Sequence, residues 1–198
     1  MEREILLTGI GGQGVQLAAN VLAHAALAEG RDVQVFGSYG GMMRGGNTDA
    51  ELVVADERIQ APPTVGSAWA ALLLHPDYAG PVLARVRPGG LVLRNGDLWE
   101  QPLERTDVDV VDVAAVSIAI AAGHAMAVAM VMLGALSTCT QVVSLDGLSA
   151  AIQECVPPYR QQHLVLNERA LGYGAAAVAA SSAQRAWPVG VTAGSERS

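Results

Sequence analysis

Aromatic side chains are scarce in this sequence: one Phe, three Trp and four Tyr among 198 residues. A core without them must be filled by Ala, Val, Leu and Met, which favours close helix-on-sheet packing over an aromatic-filled sandwich. Basic residues are also few, 12 against 19 acidic, for a net charge of -7. Nucleic-acid binding needs clustered Lys and Arg to release counterions, and no such cluster occurs, so no nucleic-acid partner is expected. The two cysteines, Cys139 and Cys155, lack C-x-x-C spacing. They cannot by themselves assemble a zinc site or an iron–sulfur cluster, and both read as reduced residues of a cytoplasmic core. The N-terminus alternates acidic and basic residues and enters an apolar run at once, which is not a secretory pattern. The long apolar run Ala114–Leu136 contains a single ionisable side chain, His124. It is Ala-rich, broken at Gly123, and without flanking Lys or Arg or an aromatic belt. Two buried helices meeting at Gly123 are expected there, not a membrane span.

What is present is an alternation of short apolar runs and helical stretches. Strands are expected at Ile5–Thr8, Val33–Phe36, Leu52–Ala55, Ala71–Leu74, Leu91–Leu93 and Val108–Val113. Most are continuously apolar, the mark of strands covered on both faces. Helices are expected at Val15–Ala28 and Tyr78–Val86, then at Ser117–Ala122, His124–Leu136, Leu148–Cys155 and Asn167–Ala180. Asp146 and Asn167 are candidate N-caps for the last two. This order predicts an α/β fold: a three-layer α/β/α sandwich, Rossmann-like, with a mainly parallel sheet and a helical C-terminal part. Between Phe36 and Leu52 the chain is Gly-rich and has no helical period. A parallel crossover needs a helix there, so these two strands are expected to be antiparallel and the sheet mixed. An irregular loop of that length is usually functional. Residues 1–180 read as one domain and 181–198 as a peripheral tail without periodicity.

The opening "GIGGQG" places Gly9, Gly11 and Gly14 on the G-x-G-x-x-G spacing of dinucleotide sites, ahead of a helix whose N-terminus suits an anion. A nucleotide site also needs an acid at the end of the second strand to grip the ribose. That strand ends "VQVFGS", with Gly37 and Ser38 in the required place, while Arg31 and Asp32 stand at its other end. An NAD(P)-binding oxidoreductase is therefore the weaker reading. A second loop, "GSYGGMMRGGNTDAELVV", sets Arg44 among glycines. Gly pairs let a ligand or another chain approach closely, and a guanidinium suits phosphate or carboxylate.

In order, "GIGGQG" and "SYGGMMRGG" resemble the γ subunit of 2-oxoacid:ferredoxin oxidoreductases, the module also found as a domain of single-chain pyruvate and of indolepyruvate oxidoreductases. The resemblance continues through "VMLGAL" (Val131–Leu136) and "LNERALGYG" (Leu166–Gly174), covering roughly residues 4 to 180. It implies membership of a hetero-oligomeric, cytoplasmic enzyme that oxidatively decarboxylates a 2-oxoacid on thiamine diphosphate with Mg²⁺. Electrons pass through [4Fe-4S] clusters to ferredoxin, and the product is an acyl-CoA. The implied partners are the α, β and δ (or ferredoxin-like) subunits, which hold those groups. This chain has no cysteine set for a cluster, and "DGL" at Asp146 lacks the Asn that completes a thiamine diphosphate motif. No catalytic or metal-ligating residue is assigned to it. The loop residues expected to face the partner active site or CoA are Gly11, Gly12, Gln13, Gly14, Ser38, Tyr39, Arg44, Gly45, Gly46 and Asn47. The chain departs from the family in lacking an Asn before "VMLG" and in having Gly41, Met42 and Met43 where Pro or Glu is frequent. A scaffold without a redox role is a further alternative. Elsewhere, His24 is expected on a helix without a carboxylate partner, His75 as a turn residue at a strand end, and Met126, Met130 and Met132 as core filler.

Overall fold

A computed structural model of the chain describes residues 1–39, 46–60, 64–178 and 186–187. Six strands form one sheet: β1 (Glu2–Ile10), β2 (Asp32–Tyr39), β3 (Asn47–Ala55), β4 (Ala68–Leu73), β5 (Val86–Asn95) and β6 (Asp109–Val113). The helices are α1 (Val15–Ala28), α2 (Ala79–Leu83), α3 (Ala115–Ala121), α4 (Val128–Thr140), α5 (Leu145–Cys155) and α6 (Leu164–Ala176). Strand order is β2-β3-β1-β4-β5-β6. β3 runs antiparallel to both β1 and β2, and the other neighbours are parallel, so the sheet is mixed as expected. The β1–α1–β2 crossover passes over β3, which lies between the two strands that α1 connects.

The two faces are unequally covered. Ile5, Leu7, Leu52, Val54, Leu72 and Leu93 face a thick layer built from α1 and α3–α6. Leu6, Val53, Ala55, Leu73 and Val92 face a thinner layer of α2, the connection carrying Ile59 and Val65, and the partly buried Trp99, Leu103 and Val108. Right-handed crossovers impose this division: the chain leaves β1 towards one edge of the sheet and leaves β4 towards the other, so their helices fall on opposite faces. The adjacent carboxyl ends of β1 and β4 thus form the topological switch point, where ligands of open α/β sheets bind.

Small residues let the thick layer close. α4 and α6 cross at Gly134 and Gly174; a Cβ on Gly134 would run into the Leu171 carbonyl and one on Gly174 into that of Val131. The thin layer is pinned by charge instead. Arg85 Nη1 lies 2.8 Å from Glu51 Oε1, Arg85 Nε donates to the Val65 carbonyl at 3.0 Å, and Val65 N donates to Glu51 Oε2 at 3.2 Å. The Arg85 guanidinium hydrogen-bonded to Glu51 holds that carboxyl below the usual carboxylate range.

Several sequence expectations need correction. α5 is capped by Ser144, whose Oγ accepts from Gly147 N at 2.9 Å, while Asp146 sits inside the first turn, where its charge suits the helix dipole. Asn167 caps nothing: a 3₁₀ segment (Pro158–His163) runs directly into α6, and Asn167 is buried within the helix. Tyr78 belongs to a 3₁₀ turn, so α2 has only Ala79–Leu83, and β5 starts earlier, at Val86. α3 and α4 do separate at Gly123 (φ 91°), although α4 begins only at Val128. Met130 and Met132 are core residues, but Met126 is 55% exposed. No helix among the described residues is long and apolar enough to cross a membrane. Beyond residue 180, Ala186 is fully buried, donating its N–H to the Thr140 carbonyl at 2.7 Å, and Trp187 Nε1 donates to the Val142 carbonyl at 3.1 Å.

Gly134→Ala should force α4 from α6 and cost roughly 3 kcal/mol in urea unfolding, the range of overpacked cores. Glu51 has a depressed folded-state pKa, so its contribution is present above its unfolded-state value and is lost as pH falls through the folded one. Glu51→Gln should therefore lower the unfolding midpoint at neutral pH, with the difference from wild type closing as pH drops below the usual carboxylate range.

Candidate functional site

The switch point is closed by a side chain. The loop Gly11–Gly14 leaves β1 with Gly12 at φ 105° and Gly14 at φ 85°, left-handed conformations that favour glycine. Gln13, between them, folds back: its Oε1 accepts from Ile10 N at 2.9 Å and its Nε2 donates to the Leu74 carbonyl at 3.3 Å. Its amide therefore spans the carboxyl ends of β1 and β4. Gly9 is required beneath it, because a Cβ there would lie 2.6 Å from Gln13 Oε1. The Leu74 carbonyl also accepts from Asn95 Nδ2 at 3.3 Å, and Asn95 Oδ1 accepts from Ala115 N at 3.2 Å at the start of α3. Asp97 completes that cap, its Oδ2 accepting from Ser117 N at 2.7 Å. A hydrogen-bonded bracket so runs from the Gly loop across β4 and β5 to α3. Neither Asn95 nor Asp97 was singled out in the sequence; an Asn and an Asp at a strand end before a helical run were the available signal.

The second loop meets the first. Gly11 N donates to the Gly46 carbonyl at 2.9 Å, and Ile10 pairs in register with Asn47. Asn47 Nδ2 donates to Asp49 Oδ2 at 2.7 Å, while Thr8 Oγ1 lies 3.4 Å from Asn47 Oδ1. Gln16, in the first turn of α1, donates from Nε2 to the Asp49 carbonyl at 2.6 Å and lies where a Cβ on Gly37 would stand. Where a second-strand acid would begin, the Gln16 amide occupies the space beside Gly37, and a larger residue there would displace it from Asp49. Ser38 and Tyr39 end β2, paired with Asp49 and Thr48. Their side chains, and residues 40–45 with Arg44 and Gly45, lie outside the described residues.

Of the expected site residues, the fold brings Gly11, Gly12, Gln13, Gly14, Gly46 and Asn47 together at one edge. Gln13 and Asn47 have their amides committed to holding that edge; Gly11 and Gly12 are exposed there. Gly14 starts α1 with no side-chain cap. The corner between α3 and α4 closes the loop from above, with Met126 Cε 3.4 Å from a Cβ position on Gly12 and Ala129 Cβ 3.5 Å from one on Gly14. His75 behaves as the expected turn residue, its Nδ1 accepting from Asp77 N at 3.3 Å. His24 does have a carboxylate neighbour, Glu154 Oε2 at 3.3 Å from its Nδ1, on an exposed surface away from the loops. Burial holds the Cys155 thiol above its ordinary pKa, and Cys139 is buried. Among the described residues no three His, Cys, Asp or Glu side chains form a metal-binding group.

This arrangement is unlike a dinucleotide cradle. The crevice where pyrophosphate would lie holds the Gln13 amide, and β3 separates β1 from β2, moving the end of the second strand away. Fold and loops together define a class of α/β module that offers glycine backbone, not a dinucleotide cradle, at its carboxyl edge. The family described as pyruvate ferredoxin/flavodoxin oxidoreductase matches residues 4–177. The chain is 34% identical over 160 residues to 2-oxoglutarate synthase subunit KorC of Methanocaldococcus jannaschii, covering 79% of this chain and 85% of that one. The crystal structure of a keto/oxoacid ferredoxin oxidoreductase γ subunit from Geobacter sulfurreducens superposes with a TM-score of 0.78 at 26% identity, over 92% of this chain and 98% of that one. The same fold forms 32% of the chain of the 2-oxoglutarate:ferredoxin oxidoreductase from Magnetococcus marinus, with a TM-score of 0.81 over 94% of this chain at 19% identity. The chain belongs to the pyruvate ferredoxin/flavodoxin oxidoreductase family, as a γ subunit of the 2-oxoacid:ferredoxin oxidoreductase type.

Gln13→Leu keeps the bulk but removes both hydrogen bonds of the bracket. It should cost about 1–2 kcal/mol, and hydrogen exchange at the Gly11 and Gln13 amides should accelerate while exchange in α5 stays unchanged.

Proposed function

We propose that this γ subunit serves a thiamine diphosphate- and CoA-dependent enzyme that oxidatively decarboxylates a 2-oxoacid and delivers electrons to ferredoxin. Its paired Gly loops face the catalytic subunits. The observation that carries this reading is the Gly11–Gly46 hydrogen bond, which joins two loops distant in sequence into one edge. Two cysteines cannot supply the four thiolates of a [4Fe-4S] cluster. Both cysteines lie on helices, α4 and α5. The clusters, Mg²⁺ and thiamine diphosphate accordingly belong to the α, β and δ subunits, in a cytoplasmic complex.

For CoA the residues present fit better. Glycine amides, the uncapped start of α1 and one guanidinium suit an anionic group in an otherwise acidic chain. Arg44 with the amides of Gly45 and Gly46 would orient it, either a phosphate of CoA or a partner carboxylate, while Gln13 and Asn47 hold the loops to the sheet. When bound, CoA supplies the thiol that carries away the acyl group. This chain's share is to bind and orient.

Purification of the native assembly tests the reading. The chain should come with a brown, iron-containing complex that carries thiamine diphosphate, and a colourless monomer would overturn it. Within that complex, Arg44→Ala should raise the KM for CoA or loosen the γ subunit. Unchanged stoichiometry together with unchanged CoA kinetics would remove Arg44 from the account.

A further inference from the structure

The corner between α3 and α4 is the least polar exposed surface near the loops. From Ala114 to Leu136 its single ionisable side chain is His124, yet Ile120 is 60% and Met126 55% exposed. Met130 and Met132, just beyond, are almost completely buried, so this exposure is local to the corner. Because Met126 packs over Gly12, the apolar surface and the exposed Gly11–Gly12 backbone form one continuous face.

One side of this face carries two arginines, Arg160 and Arg169, and a pair of stacked imidazoles. The His124 ring stacks on His163, with centroids 4.5 Å apart and planes 4° from parallel. His163 Nδ1 is buried without a hydrogen-bond partner. Arg169 Nη1 donates to the Ala122 carbonyl at 3.4 Å, and Arg160 lies within electrostatic reach of His124. Burial, His163 and Arg160, in that order, hold the His124 imidazole below its ordinary pKa. α3 and α4 bring no carboxylate, and Glu168 of α6 accepts instead from Gln153 Nε2 at 3.0 Å. Among the described residues neither Arg160 nor Arg169 has a carboxylate within ion-pair distance, which is out of keeping with a chain of net charge -7.

We propose that this corner is a docking face for the catalytic, thiamine diphosphate-binding subunit of the complex, which covers Ile120 and Met126 with apolar side chains and sets a carboxylate on the His124, His163 and Arg160 group. The proposal rests on the function proposed above. A second copy of this chain is a poor occupant, since a two-fold contact centred here would bring the Arg160 and Arg169 guanidinium groups of both copies towards one another. An acidic-rimmed partner surface supplies the charge the corner lacks.

The test is association of the full chain with the co-expressed catalytic subunits. Met126→Glu and Ile120→Glu each place a carboxylate in the apolar centre. Each should weaken association by about ten-fold or more, as for a buried hot-spot position. Arg160→Glu should weaken it as well. Leu27→Glu, at the far end of α1 and 54% exposed, should bind as wild type does. Thermal unfolding of each variant shows that the fold is kept, as expected for positions more than half exposed. If folded Met126→Glu and Ile120→Glu variants bind as tightly as wild type, the corner is not the docking face, while the proposed function stands. Self-association abolished by Met126→Glu would assign the face to a second copy and overturn the proposal. Failure of the wild-type chain itself to join the catalytic subunits would overturn the function on which it rests.

Discussion

The arrangement of the edge depends on one strand lying between two others. β3 runs back between β1 and β2, and its start at Asn47 pairs with the end of β1 at Ile10. That register delivers Gly46 to Gly11, so two glycine-rich segments separated by a helix and a strand become neighbours. A conventional parallel order, with β2 beside β1, would leave the second loop elsewhere. The same insertion displaces the end of β2 and with it the position from which a dinucleotide site grips ribose. One topological choice therefore both removes the nucleotide site and creates the paired-loop edge.

The bracket centred on the Leu74 carbonyl makes that edge rigid. Gln13 reaches it from β1's loop and Asn95 from β5, and Asn95 passes the connection to α3. Each hydrogen bond is individually modest, but the groups are partly or wholly buried, where an unmet partner costs more than a met one returns. A stiff backbone surface suits a companion subunit, because association then orders little new chain. The glycine fingerprint is shared with dinucleotide folds because both need a tight strand-to-helix turn. The side chain that fills the crevice separates them.

The strands covered on both faces were legible from their unbroken apolar runs, as at Ile5–Thr8 and Ala71–Leu74. The absence of a helix between Phe36 and Leu52 correctly announced an antiparallel pair. The loops could be named, though their contact could not, since pairing across Gly11 and Gly46 depends on register. Caps were misplaced where neighbouring residues compete: Ser144 and Asp146 are both capping types, and helix phase decides between them. Asn167 was misread because Pro157-Pro158 feeds a 3₁₀ segment that continues into α6 without a break. Met126 looked like core because apolar periodicity is the same for a buried apolar residue and an exposed one. His24 gained Glu154 through packing of α1 on α5, which no local pattern announces.

We propose the paired-loop edge as a surface for another subunit, with the crevice that a dinucleotide would need filled by the Gln13 amide. A cryo-electron-microscopy reconstruction of the assembled oxidoreductase tests it most directly. Gly11, Gly12 and Gly46 should be in contact with a catalytic subunit or with CoA held beside it, and the Gln13 amide should still lie on Leu74. A reconstruction with this edge open to solvent, or with a dinucleotide in place of the Gln13 side chain, would contradict it.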